Sequence, residues 1–417
     1  MKTKAVRLYG KGDLRLEEFE LPEITDDEVL CKVVSDSLCM STYKAQKLGE
    51  DHARVPNDVK ENPVMVGHEM CGEIVKVGKN LVGRYAEGEK FVLQPALPDG
   101  SSDTVGYAWR YCGGNATFVI IPKRYVDAGC LMKYDREDFF SGSLAEPMSC
   151  IVGGFHVNYH TDFATHAHKM GIVEGGNCAI LAGVGPMGLG AIDYALHGPI
   201  RPGLLVVTDI DDARLNRAAR IFTPEDAKKE GITLVYLNTR DVNAVEELMK
   251  ISGGKGYDDV FVYAPVSALI EQADKILALD GCINFFAGPP DKNLSASINF
   301  YNVHYRFSHV AANAGGSPDD TVECLELMSK GVINPAVMIT HIGGLNCAAE
   351  STINLPSIPG GKKLVYTHID FPLTAIDDFK EKGKTCPVCR KLAEICDRHN
   401  GLWSAEAEKY LLSALSK

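Results

Sequence analysis

The sequence predicts an α/β protein in two parts, a mostly β domain followed by a doubly wound parallel sheet. Three observations carry that expectation. Short strand-like runs broken by Gly, Pro and Asp turns fill residues 1 to about 155. Beyond residue 175 short apolar runs alternate with amphipathic helical patterns. Gly183-Val184-Gly185-Pro186-Met187-Gly188 stands where one such run passes into the helical pattern behind it. At 417 residues the chain exceeds one ordinary core, and two or three domains follow from length alone.

In the first part, residues 1–10 alternate polar and apolar, and further strand-like runs are Val29 to Val34, Gly72 to Gly78, Glu89 to Gln94 and Asn115 to Ile121. In the second, apolar runs begin at Cys178, Leu204, Leu234, Asp259 and Cys282, with helical patterns over 187–197, 211–222 and 268–279. Buried strands alternating with helices build a parallel sheet covered on both faces. After about residue 313 come a helix over 319–330, a strand, a glycine-proline region and a helical tail. The boundaries expected are 1–155, 156–312 and 313–417, the last segment returning to complete the first domain because it is short for an independent one.

The net charge of −12 and the lack of any long Lys/Arg cluster argue against a nucleic-acid partner. No stretch approaches a membrane span, and the opening residues have no continuous apolar segment of the signal-peptide kind. Thirteen cysteines is an odd number, and most sit singly at apolar positions, so the cytoplasm is the expected compartment.

The glycine run has the strand-turn-helix context that a dinucleotide fingerprint requires. Gly183 serves the tight turn, Gly185 the close approach of backbone to pyrophosphate, and Gly188 helix-sheet packing, with the helix N-terminus facing the negative charge. Asp209 closes the next apolar run, 21 residues beyond Gly188, where a carboxylate accepts hydrogen bonds from ribose hydroxyls. That favours NAD(H) over NADP(H), with Arg214 near enough to soften the preference. The bland alternative is a loop shaped by glycines, with Asp209 capping a helix.

Cys39 ends an apolar run, and Gly67-His68-Glu69 leads into the next one, so a thiolate, an imidazole and a carboxylate can meet at strand-to-loop junctions. Zinc accepts such mixed ligands and, where catalytic, keeps one position open. Taken singly, Cys39 and His68 read more simply as a buried thiol and a hydrogen-bonded core histidine.

Together, the Cys39 segment, Gly67-His-Glu-Met-Cys-Gly72, Glu146-Pro-Met-Ser149 and the dinucleotide run resemble the zinc-dependent medium-chain dehydrogenase/reductase family over nearly the whole chain. The branch that the chain is most similar to handles polyols and sugar phosphates, because Glu146 stands where alcohol dehydrogenases carry a second cysteine ligand. Gly361-Lys-Lys-Leu-Val-Tyr366, the run 372–379 and the run 401–410 match that branch too. The resemblance implies a GroES-like catalytic domain joined to a Rossmann domain. It also implies one catalytic zinc on Cys39 and His68, with Glu69 and Glu146 as ligands or holders of the zinc-bound water in an order left open. Ser41 would begin a proton relay. Departures are Lys44 in place of the relay histidine, Met40 for the usual glycine, Thr42 for an aspartate, and Cys112 alone where relatives carry a four-cysteine zinc lobe.

The function expected is NAD(P)(H)-linked interconversion of a ketose phosphate and a polyol phosphate by a homo-oligomer, dimer or tetramer. The alternatives are an unphosphorylated polyol, an amino alcohol or another secondary alcohol as substrate, and a nucleotide-binding sensor with a fossil site. A polyol phosphate calls for a cation; Lys44 and Arg110 are candidates, though isolated cations more often solvate a surface. Cys386-Pro-Val-Cys389 with Cys396 and His399 offers a second ligand set, against which stands a plain helix with Cys386 or Thr385 as cap, Pro387 in the first turn and Val388, Leu392 and Ile395 buried.

Overall fold

The computed structural model describes residues 1–415. The chain separates into two compact units: residues 1–147 with 317–329 and 335–417, and residues 148–316 with 330–334. The first division falls at Pro147/Met148, inside the helix Ala145–Val157, eight residues before the expected 155.

The first unit is built on an eight-stranded sheet whose longest member, Val29–Leu38, pairs antiparallel with Met70–Val77, Lys362–Tyr366 and Phe118–Ile121. Nine of the ten residues from Val29 to Leu38, all but Lys32, bury apolar or small side chains or the Asp36 carboxyl, so this strand is covered on both faces rather than alternating. The strands Ile339–Gly344 and Thr374–Ala375 extend the sheet, so the C-terminal segment supplies three of its members. A smaller sheet of Asp13–Glu20, Lys2–Gly10 and Val64–Met65 carries the residues just ahead of His68.

The second unit holds a six-stranded, all-parallel sheet in the order Thr233–Asn238, Leu204–Asp209, Asn177–Leu181, Tyr257–Val262, Leu277–Phe285, His309–Ala311. Numbered along the chain that is 3-2-1-4-5-6, the order of dinucleotide-binding sheets, with the switch point beside Asn177–Leu181. The helix over 268–279 stops short. It spans Ser267–Ile276, and Leu277 enters the next strand opposite Tyr257. Apolar residues at 276–279 fit either period, and the buried strand partner decides it.

No helix among the described residues is long and apolar enough to cross a membrane. The cysteine tail is a helix, Pro387–Arg398: the Cys386 Sγ caps it by accepting from the Cys389 amide at 3.2 Å, and Leu392 and Ile395 are buried with Cys389 and Cys396. His399 lies past its end and meets Glu406 at 3.1 Å.

Candidate active site

Cys39, His68 and Glu69 offer a sulfur, a nitrogen and an oxygen that all lie within 4.8 Å of one another, the single such group of three or more among the described residues. Each is placed by local chain geometry. Cys39 follows the strand Val29–Leu38 as the N-cap residue of the helix Met40–Leu48. His68 and Glu69 follow Gly67, whose φ is +90° and where a Cβ would come within 2.2 Å of the Asp36 Oδ2. Only glycine turns the chain there. Asp36 then takes the Glu69 amide at 2.8 Å on Oδ1 and the Asn115 side chain on Oδ2, which sets the Glu69 backbone. Burial, with Glu69 beside it, pushes the Asp36 carboxyl up to about 7.

The Glu69 carboxylate accepts from Ser37 on one oxygen and from Lys362 on the other. Lys362, buried on the strand Lys362–Tyr366, is a site residue that sequence reasoning missed; a charged pair inside an apolar strand is the signal for it. Burial drives the Glu69 carboxyl well above its ordinary range, against the pull of Lys362. The Thr42 hydroxyl stands 3.5 Å from the His68 Nδ1, so the residue at the usual aspartate position steadies the imidazole and leaves Nε2 for a metal.

Glu146 lies outside the tight trio. Half-buried in the first turn of Ala145–Val157, it is close enough for its charge to act on Glu69, Lys362 and Tyr107. Ser41 is hydrogen-bonded to the buried Tyr107, whose ring centroid is 5.2 Å from that of His68. Arg110 is exposed and 3.8 Å from Asp58, so its charge is already partly answered by a surface carboxylate.

In the second unit the fingerprint forms the turn between the strand Asn177–Leu181 and the helix Pro186–His197. Gly185 is the N-cap of Pro186–His197, with Pro186 in the first turn, and a Cβ on Gly185 would meet nothing within 4 Å. A Cβ on Gly188 would come to 2.1 Å from the Gly183 carbonyl oxygen, so turn and helix close only on glycine. Val184 and Met187 lie between them, and Ala182 takes φ +54°. The Asp209 Oδ1 accepts from the Ile210 and Asp211 amides at 2.8 and 3.0 Å. The helix cap is Asp211, which takes the Arg214 amide at 3.0 Å, so Asp209 is not spent on capping.

The family model described as zinc-binding dehydrogenase matches residues 186–330, and that of the alcohol dehydrogenase GroES-like domain matches 25–128. The chain is 50% identical over 412 residues to mannitol-1-phosphate 5-dehydrogenase of Aliivibrio fischeri, covering 99% of this chain and 97% of that one. The chain belongs to the zinc-binding dehydrogenases. L-sorbose 1-phosphate reductase of Klebsiella pneumoniae is 47% identical over 414 residues, with the same coverage. The solved structure of a zinc-binding dehydrogenase from Sinorhizobium meliloti bound to NADP shares the fold at TM-score 0.70 and 20% identity, over 88% of this chain and 99% of that one. This dehydrogenase is therefore an oxidoreductase of the polyol type, with GroES-like and Rossmann-like domains, zinc and a nicotinamide cofactor.

Proposed function

We propose that the enzyme interconverts a ketose phosphate and a polyol phosphate, with Cys39, His68 and Glu69 as zinc ligands. The observation that carries the substrate class is the chemistry shared by the names of two of its full-length relatives, mannitol 1-phosphate and L-sorbose 1-phosphate, at 50% and 47% identity. The donor set fits the metal: thiolate, imidazole and carboxylate are zinc ligands, and three protein ligands leave one position open. Both Glu69 oxygens already accept from the protein, yet each keeps a second lone pair for a metal.

When bound, zinc supplies Lewis-acid polarisation of the substrate oxygen and the nicotinamide supplies or accepts the hydride. The chain's own residues then divide the remaining work. Thr42 orients His68, while Ser37 and Lys362 hold Glu69. Glu146 would hold a water beside the metal ligands, and Ser41, hydrogen-bonded to Tyr107, would pass the proton. The amides at the start of Pro186–His197, with the Gly183 to Gly188 turn, receive the pyrophosphate, and the Asp209 Oδ2 takes the ribose hydroxyls, favouring NAD(H). We further assign the enzyme to the cytoplasm as a homo-oligomer, the first supported by its scattered, odd-numbered cysteines.

The deciding experiment is a panel of ketoses and polyols with and without phosphate, each run with NADH or NADPH, or their oxidised forms. Phosphorylated substrates should lead in kcat/KM. Equal rates on sorbitol and sorbitol phosphate would overturn the phosphate reading and favour an unphosphorylated polyol.

A further inference from the structure

Around the face of Tyr107 the structure gathers side chains that the chemistry above does not use. The His52 ring stacks on Tyr107 at 5.6 Å between centroids and 11° between planes, and the Arg54 guanidinium lies 5.5 Å from the same centroid. The Arg54 amide donates to the His52 Nδ1 at 3.2 Å, which assigns the His52 proton to Nε2 and makes that nitrogen a donor. Lys44 is half-buried and near enough for its charge to act on His52 and for Cys39 to act on it. Burial, then Arg54 and Lys44, hold His52 below its ordinary range.

Arg54 differs from most arginines of this chain. Arg15 pairs with Asp13, Arg124 with Asp99 and Asp103, and Arg398 with Glu406, each through carboxylates within 4 Å. The Arg54 guanidinium has no carboxylate within that range among the described residues, although it is half-buried and the chain carries a net charge of −12. A planar guanidinium held over an aromatic ring is pre-organised for two-point binding of an oxyanion.

We propose that Arg54, the His52 Nε2 and Lys44 form the phosphate subsite of the substrate, with Tyr107 as the shared wall between that subsite and His68. This rests on the phosphorylated-substrate reading above and names the residues that deliver it. Arg54 contributes the paired donors, His52 a neutral donor and Lys44 a point charge; a neutral sugar has nothing to offer them.

The test compares kcat/KM for L-sorbose 1-phosphate and L-sorbose in wild type, Arg54→Ala, Arg54→Lys and His52→Gln, with calorimetric binding of inorganic phosphate. Loss of charge-assisted bonds predicts that the phosphate preference of Arg54→Ala falls about 10- to 100-fold, chiefly through KM. Arg54→Lys should recover part of it, and inorganic phosphate should bind wild type more tightly than Arg54→Ala. If wild type prefers the phosphorylated ketose and all three variants keep that preference with wild-type melting, the subsite is wrong while the substrate class stands. If wild type shows no preference, the substrate class fails and the subsite with it. Should Arg54→Ala not fold, Arg54→Lys and His52→Gln decide: an unaltered preference in both overturns the assignment.

Discussion

Lys362 donates to the Glu69 carboxylate across 293 residues of chain, with the two side chains 6% and 1% exposed. Taking both charges out of water is costly, and the pair persists because each answers the other and Ser37 takes the remaining carboxylate oxygen. Removing one partner alone strands a buried charge. Lys362→Met in chelator-treated enzyme should therefore lose about 3–5 kcal/mol by urea unfolding, and adding Glu69→Gln should return most of it. Additive losses in the double variant would show that the two side chains do not act as a pair.

The zinc assignment separates the two glutamates. Glu69 sits in the trio within 4.8 Å and Glu146 does not. Glu69→Gln should weaken zinc binding by about 10- to 100-fold or more, whereas Glu146→Gln should retain one zinc per chain and lose turnover. Cys39→Ala should hold almost none, since Cys389 and Cys396 are buried in a helix stripe and His399 engages Glu406. Metal analysis by mass spectrometry reads all three, and substantial zinc left in Cys39→Ala would reveal a second site.

Much of this architecture was legible because its signals are local. The strand-turn-helix context of Gly183 to Gly188 lies in one stretch of text, and Asp209 ends the very next strand. That Cys39, His68 and Glu69 come together was legible only from their company: singly they read as a buried thiol and a core histidine, and the neighbouring carboxylate and strand-to-loop positions suggested the grouping. Lys362 and Arg54 were not. Their roles come from partners that only the folded sheet and loops bring near, Glu69 for one and the Tyr107 ring for the other. Lys44 and Arg110 stand alike as candidate cations in the sequence, and the salt bridge of Arg110 with Asp58 is equally invisible there.

The proposed preference for NAD(H) depends on Asp209. Its Oδ1 is held by two backbone amides, which fixes the carboxylate at the end of the strand Leu204–Asp209, and a carboxylate facing the adenosine ribose would repel a 2′-phosphate. Arg214 and Arg240 flank the turn: their charges act on Asp211, and the Arg240 Nε donates to the Ile210 carbonyl at 2.9 Å. Asp209→Ser should thus shift the ratio of kcat/KM towards NADPH by about 10- to 100-fold, through loss of the ribose bonds and exposure of the phosphate to the arginines. An unchanged ratio would place the ribose elsewhere.

Glu408, buried on the helix Ala405–Leu415, accepts from the Phe139 and Phe140 amides at 2.6 and 2.8 Å and from the Tyr366 hydroxyl at 2.8 Å. These bonds favour the ionised form, but burial outweighs them and pushes the carboxyl up to about 7. A folded-state value above the unfolded one means that the native state binds the proton more tightly. The resulting stability is fully present below about pH 4.5 and is lost as pH rises through about 7. A shift of this size corresponds to about 3 kcal/mol. Glu408→Gln removes the titration while setting an amide NH₂ against a backbone N–H. The variant should be less stable than wild type at acid pH, with the gap narrowing as pH rises from 4.5 to 8. Urea midpoints at half-unit steps of pH measure it, and parallel profiles for the two proteins would assign the wild-type slope to other groups.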